Sequence, residues 1–204
     1  MLTIICLLLG TPLILARRQQ QTVKWITEQG GDVVYDWQEK PLAERKPPFF
    51  DNDVFRTVVT ADFSRAKKIT DISRLQYLTD LRCLWLYQTP IEDLSVLSGI
   101  ATLKTLSLTE CKVADLAPLT ELPELSELNL DGTFIDDLSP LAKCEQLQTL
   151  WLSKNYARYE RLSSLKNITV IYLPMNSGTS SENAALKKAL PNIKYFANDP
   201  KVSR

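Results

Sequence analysis

Leucines recur at a fixed spacing over most of the chain. A segment beginning at Leu81 has leucine at its first, fourth and sixth positions, and the same arrangement begins again at Leu103 and Leu125, each time 22 residues later. A looser copy begins at Leu147, and a variant with one inserted residue starts at Val58. Apolar residues at alternate positions are typical of a strand with one buried face. The pattern predicts parallel strands stacked side by side over a shared core.

Two further positions recur in each copy. The ninth position, where the chain turns away from the strand, holds a small residue that can bond neighbouring backbone. An aspartate recurs shortly before a segment suited to a short helical turn, where its carboxylate can cap free N–H groups. Calcium is the competing interpretation of these aspartates, but the D-x-D-x-D-G spacing of a calcium loop is missing. The two sets are Thr89, Cys111, Thr133 and Asn155, and Asp71, Asp93, Asp115 and Asp137.

These residues make the chain resemble the leucine-rich repeat family. The similarity is to the 22-residue bacterial, internalin-like form, which ends in Asp-Leu-Ser-Pro-Leu as at residues 137–141. It covers about residues 58–196. The resemblance implies an α/β solenoid with a parallel β-sheet on the concave face and short helical or 3-10 turns on the convex side. It also implies protein binding in general, and it supplies no particular partner and no catalytic residue.

The two ends of the array depart from the repeat, as terminal caps must. Residues 179–182 read Thr-Ser-Ser-Glu, a capping box that predicts a C-terminal capping helix through Leu190, followed by a tail at residues 197–204. Residues 17–57 are predicted to cap the other end, with a short helix over residues 19–29. A short strand at residues 32–37 and aromatic residues that cover the core complete this segment.

Residues 1–16 are apolar and carry no side-chain charge. As a helix they would span about 24 Å, against about 30 Å for a bilayer core, and Arg17 and Arg18 could extend the span by snorkelling. We interpret this segment as a single N-terminal membrane anchor. A cleaved signal peptide and a buried helix are the alternatives. The positive-inside rule, applied to Arg17 and Arg18 alone, would place the repeats on the cytoplasmic side, and basic residues upstream would reverse that orientation.

The amino-acid composition and the missing motifs exclude several kinds of catalytic and metal-binding site. The chain has no histidine, which excludes a His-containing triad, a His-ligated zinc site and a His proton shuttle. Its four cysteines form no C-x-x-C pair, and no phosphate-binding loop is present. Scattered C-terminal lysines do not form a nucleic-acid footprint. We therefore expect no enzyme activity, no cofactor, no metal and no nucleic-acid partner.

The residues that alternate with the leucines are predicted to line the concave face. Trp85 and Trp151 lie at the same strand phase and bracket a smaller polar floor, and exposed aromatic residues are common binding hot spots. The alternative is that these rings only cover adjacent backbone. The candidate partner-binding residues are Trp85, Tyr87, Ser107, Glu110, Glu127, Asn129, Asp131, Trp151, Lys154 and Tyr172.

The net charge of zero conceals a separation of charge. Residues 81–146 contain 4 Lys+Arg and 11 Asp+Glu, whereas residues 147–204 contain 9 and 3. The carboxylates of the candidate face should favour a basic or amine-bearing peptide. The sequence thus predicts a membrane-tethered, non-enzymatic module for protein or peptide recognition. The alternative is a structural or self-associating module that dimerises through exposed aromatics or strand edges.

Overall fold

The computed structural model describes residues 2–38, 57–152, 159–172, 188 and 195–197. Within them, one helix precedes an eight-stranded sheet whose strands lie in chain order. The helix is α1 (Leu2–Glu28), and the strands are β1 (Asp32–Tyr35), β2 (Val58–Asp62), β3 (Cys83–Trp85), β4 (Thr105–Ser107), β5 (Glu127–Leu130), β6 (Thr149–Leu152), β7 (Val170–Tyr172) and β8 (Tyr195–Ala197). Strands β2 to β8 are parallel, and β1 pairs with β2 in the antiparallel sense.

The core is a column of leucines held in register by the strand pairing. Leu84 pairs with Leu106, Leu106 with Leu128, and Leu128 with Leu150. All four side chains are completely buried. Burying one leucine side chain contributes about 2 kcal/mol, so neighbouring strands stabilise one another through this column. The predicted parallel sheet over a shared leucine core is confirmed.

Short 3-10 turns return the chain from one strand to the next. They span Ser73–Tyr77, Ser95–Gly99, Ala117–Glu121, Ser139–Lys143 and Tyr159–Ser164. The recurring aspartate precedes each of the first four turns by two positions, and its carboxylate accepts a hydrogen bond from the backbone N–H of the turn's first residue. The four bonds run from Ser73 to Asp71 (2.7 Å), Ser95 to Asp93 (2.7 Å), Ala117 to Asp115 (2.8 Å) and Ser139 to Asp137 (2.9 Å). The predicted capping role is confirmed.

The ninth repeat position satisfies backbone carbonyl groups. Thr89 donates from Oγ1 to the Leu86 carbonyl oxygen at 2.9 Å, and the Cys111 Sγ of the next repeat donates to the same oxygen at 2.6 Å. Cys111 is buried, and this burial raises the pKa of its thiol. The interpretation of Cys111 as a structural residue is therefore confirmed, while Asn155 falls outside the described residues.

Helix α1 is longer than the short helix expected over residues 19–29. It continues from Leu2 to Glu28 through Gly10 and Pro12, so no separate short helix begins at residue 19. The surrounding leucines, isoleucines and glutamines are strong or adequate helix formers, and they outweigh these two interruptions. The helix ends at Glu28, and Gly30, two residues later, has a φ of +85°, which suits a glycine that follows a helix C-terminus.

The expected membrane anchor at residues 1–16 is wrong. In the described parts of the chain, no helix is both long enough and apolar enough to cross a bilayer. Leu2 to Ala16 rise only about 22 Å at 1.5 Å per residue, which is less than the bilayer core. Beyond Ala16 the helix continues into Arg17, Arg18 and three glutamines. The predicted membrane localisation is therefore also wrong. The cytoplasmic orientation inferred from Arg17 and Arg18 depended on the same anchor and no longer applies.

The C-terminal half of α1 packs on the first repeat. Ile26 is completely buried, and the Trp25 and Phe63 rings lie 5.9 Å apart between centroids. The Arg74 guanidinium lies 5.7 Å from the centroid of the Trp25 ring. The predicted C-terminal capping helix falls outside the described residues, apart from Lys188, which is helical.

Candidate functional site

Side chains that alternate with the core leucines form the strand face, and strand pairing arranges them in rows. The row we call the middle row consists of Asp62, Trp85, Ser107, Asn129, Trp151 and Tyr172. Adjacent members belong to adjacent strands, which are about 4.8 Å apart. The middle row is therefore the direction in which one extended ligand can contact several repeats.

The two aromatic positions of the middle row lie on either side of small polar residues. Trp151 and Tyr172 stack with ring centroids 4.7 Å apart and an interplanar angle of 6°, and both are half-buried. Trp85 is also half-buried, and it lies on the other side of Ser107 and Asn129, next to Asp62. The Trp151 indole N–H is buried and has no hydrogen-bond partner among the described residues. The sheet thus holds the three rings partly exposed, as predicted.

The floor between the rings is less accessible than the sequence suggests. Ser107 was expected to face solvent, but it is only 4% exposed. It lies between Trp85 and Asn129 in the middle row, and its hydroxyl lies 3.0 Å from that of Thr109, two residues further along the chain and beyond the end of β4. Asn129 is half-buried, and its Oδ1 accepts a hydrogen bond from the Asp131 N–H at 2.9 Å. Ser107 is therefore part of a closed floor, while the Asn129 amide group remains reachable.

Strand β5 concentrates acidic and amide groups on the strand face. Glu127, Asn129 and Asp131 alternate along this strand and the residue that follows it. Glu127 is exposed, and from the described residues its carboxylate accepts one long hydrogen bond, from Thr105 Oγ1 at 3.4 Å. In the described part of the chain, no lysine or arginine forms a salt bridge with Glu127. Its negative charge is consequently available to a ligand.

A second polar cluster lies where the strands end. Glu110 accepts hydrogen bonds from the Tyr87 hydroxyl at 3.3 Å and from Gln88 Nε2 at 2.7 Å. Lys67 Nζ donates to the Tyr87 carbonyl at 3.2 Å and to Gln88 Oε1 at 3.0 Å, and it lies 4.4 Å from the centroid of the Tyr87 ring. Desolvation, followed by the negative charge of Glu110, raises the pKa of Tyr87. The cluster already holds one ammonium group against an aromatic ring and neutral oxygens.

Left-handed backbone conformations hold this cluster in place. Gln88 and Glu110 have φ of +53° and +55°, and Gly132, at the same position of the next repeat, has φ of +70°. The conformation lets the backbone continue the strand pairing, because the Glu110 N–H donates to the Asp131 carbonyl at 2.8 Å. A Cβ atom on Gly132 would lie 2.5 Å from Glu110 Cγ. Because Gly132 has no side chain, the Glu110 side chain can occupy the space beside it.

One exposed aromatic residue was not among the candidates. Phe134 is 87% exposed and lies in the segment that follows β5. Pro90 and Lys112 occupy the same position in the preceding repeats, so the repeat phase alone indicates exposure there. Among the candidates, Lys154 lies outside the described residues. Within the described residues, no group of three or more His, Cys, Asp or Glu side chains could hold a metal ion.

One family model and several solved structures are similar to this chain. Residues 101–143 match the family model for leucine-rich repeats in two copies. An internalin from Listeria monocytogenes is 28% identical over 64% of this chain and 38% of its own, with a TM-score of 0.49. Internalin C2 of the same organism is 25% identical over 72% of this chain and 73% of its own, with a TM-score of 0.48. A leucine-rich repeat protein of Leptospira interrogans is 22% identical over 65% of this chain and 35% of its own, with a TM-score of 0.49.

A search of curated proteins found no match. The chain contains leucine-rich repeats, and its parallel strands and 3-10 turns form a leucine-rich repeat solenoid. Proteins built from such repeats are typically non-enzymatic and generally mediate protein–protein recognition.

Proposed function

We propose that this protein recognises a protein or peptide partner through its strand face and performs no catalysis. The observation that carries the proposal is the middle row, in which half-buried aromatic rings stand on both sides of a polar floor. Large rings held by a rigid sheet bury much area on binding and lose few rotamers. A sheet also positions such groups more accurately than a loop does.

The charge of the strand face supports a basic partner. Its strand positions carry Asp62 and Glu127 but no lysine or arginine among the described residues. Glu127 forms no salt bridge there, and the donors to Glu110 among those residues, Tyr87 and Gln88, are neutral. An ammonium or guanidinium group would supply the missing countercharge, and electrostatic attraction would raise the rate of encounter.

We assign the repeats to the 22-residue internalin-like form, with residues 58–196 as the repeat domain and residues 17–57 as its N-terminal cap. The register supports this assignment, because Cys83, Thr105, Glu127 and Thr149 succeed one another at intervals of 22 across paired strands. Burial of Ile26 and the contact of Trp25 with Phe63 support the cap.

The test is a selection of random dodecapeptides displayed on phage against the full chain. We expect enriched peptides whose binding falls at least about thirtyfold in the Trp85→Ala variant, the loss typical of an interface hot spot. The matched control is Phe134→Ala, which removes an exposed ring that lies outside the middle row. Circular dichroism of both variants establishes that the fold is retained.

Two results would contradict the proposal. One is a selection that enriches no peptide on the native chain. The other is a set of peptides that lose binding with Phe134→Ala and keep it with Trp85→Ala, since these would place recognition away from the strand face.

A further inference from the structure

We propose that the strand face takes an extended basic peptide lying across the strands, along the middle row. A lysine or arginine of the peptide lies between Ser107 and Asn129. The side chains two positions before and after it are apolar, and they contact Trp85 and Trp151. The inference rests on the proposed function and adds to it the class, orientation and register of the ligand.

The spacing of the rings carries the register. Trp85 and Trp151 are three strands apart in the sheet, because Trp85 pairs with Ser107, Ser107 with Asn129, and Asn129 with Trp151. At about 4.8 Å per strand, the two positions are about 14 Å apart. An extended peptide rises about 3.3 Å per residue, so side chains four positions apart are about 13 Å apart and point to the same side. A peptide with apolar residues at i and i+4 therefore matches both rings.

The remaining side chain on that side, at i+2, determines the charge of the ligand. It lies about 7 Å along the peptide from the residues at i and i+4, above the boundary between Ser107 and Asn129. Ser107 is buried in the floor beneath this position, whereas the neighbouring Asn129 is half-buried and its amide group can be reached by a long side chain. Glu127 lies two residues from Asn129 on the same face of β5, and it has no cationic partner among the described residues. A lysine or arginine at i+2 can reach this carboxylate, whereas an acidic residue would be repelled.

The protein's own Lys67 places an ammonium group at the edge of the strand face. Lys67 Nζ lies 4.4 Å from the centroid of the Tyr87 ring and donates to two neutral oxygens, those of the Tyr87 carbonyl and the Gln88 side chain. Tyr87 follows Trp85 by two residues and lies on the same face. An ammonium group is therefore already stable beside an aromatic ring and amide oxygens at the edge of the proposed groove.

The peptides selected on the full chain test the register directly. Peptides that depend on Trp85 should share apolar or aromatic residues at i and i+4 and a lysine or arginine at i+2. Trp85-dependent peptides with an acidic or apolar residue at i+2, or with another spacing, would overturn the inference while leaving the proposed function intact. A selection without Trp85-dependent peptides would instead remove the proposed function, and the two failures are thus distinguished.

Synthetic peptides and one charge variant sharpen the test. Inserting one glycine between i+2 and i+4 should weaken binding at least about tenfold, because the second apolar side chain then points away from the sheet. Glu127→Gln should weaken binding of the lysine peptide about two- to fivefold, as expected for an exposed ion pair, and should reduce its dependence on salt. Glu121→Gln, at an exposed carboxylate in a 3-10 turn, is the matched control. Equal losses in the two variants, or tolerance of the glycine insertion, would contradict the proposed register.

Discussion

The two faces of the same strands differ in what they repeat. On the inward face, paired positions of neighbouring strands all hold leucine, as in Leu84, Leu106 and Leu128. These three side chains are completely buried. Facing outward at the neighbouring level, the residues change at every strand, as in Trp85, Ser107 and Asn129. Both rows share one backbone and one register. The inward row provides stability through identical contacts, whereas the outward row provides the chemical variety that recognition requires.

Changing the inward row should have the largest effect. Leu128→Ala is expected to lower the free energy of unfolding by about 2–5 kcal/mol, because it removes buried methyl groups and leaves a cavity between two paired leucines. The adjacent outward change, Asn129→Ala, should cost less than about 1 kcal/mol, since one half-buried side chain and one hydrogen bond are lost. Chemical denaturation of both variants provides the comparison. Equal losses would show that the faces do not divide the two roles.

Cysteine reactivity should differ between the exposed strand face and the buried core by a factor of about one hundred or more. Cys144 is buried, and desolvation raises the pKa of its thiol from 9.0 to about 11, which lowers the thiolate fraction about a hundredfold. Cys83 lies on the strand face and is half-exposed. In a Cys6→Ser variant, iodoacetamide at neutral pH should label Cys83 well before Cys111 and Cys144. Mass spectrometry after timed labelling gives the order, and early labelling of Cys144 would argue against its burial in the core.

The backbone at the edge of the strand face should show a smaller effect. Gly132→Ala is expected to cost about 1–2 kcal/mol, because alanine strains the φ of +70° and its Cβ would contact the Glu110 side chain. Thermal unfolding measures the loss. The control is Gly99→Ala, where a Cβ would meet nothing within 4 Å. A Gly132→Ala protein as stable as the control would contradict the role assigned to this glycine.

The repeat itself could be predicted because it depends on local periodicity. The alternating leucines predicted the sheet and its core, and the recurring aspartates predicted the turn caps. Each of these roles follows from the position of a residue within its own repeat. Features that depend on neighbouring repeats were missed. Ser107 is buried because of what surrounds it, and its phase alone indicated exposure. The left-handed residues Gln88 and Glu110 are not glycines, so no composition signal marked them.

The N-terminal segment shows a different limit. Its apolar composition suggested a membrane anchor, but composition does not reveal that the helix continues past Ala16 into charged and polar residues. The antiparallel pairing of β1 with β2 also has no counterpart in the repeat. Neither feature follows the 22-residue spacing, so the repeat pattern could not predict it.

The turn caps should give the smallest and most pH-dependent effect. Hydrogen bonds from the Ser95 backbone N–H and hydroxyl lower the pKa of Asp93 below its ordinary value of 3.8. Because the pKa is lower in the folded state, the ionised carboxylate stabilises the fold above about pH 4, and this contribution is lost as the pH falls through the folded-state pKa. Asp93→Asn should therefore lower the melting temperature slightly near neutral pH and make little difference in strong acid. Glu92→Gln, at the exposed neighbouring carboxylate, is the control, and an Asp93→Asn effect that persists unchanged in acid would show that the carboxylate charge is not its source.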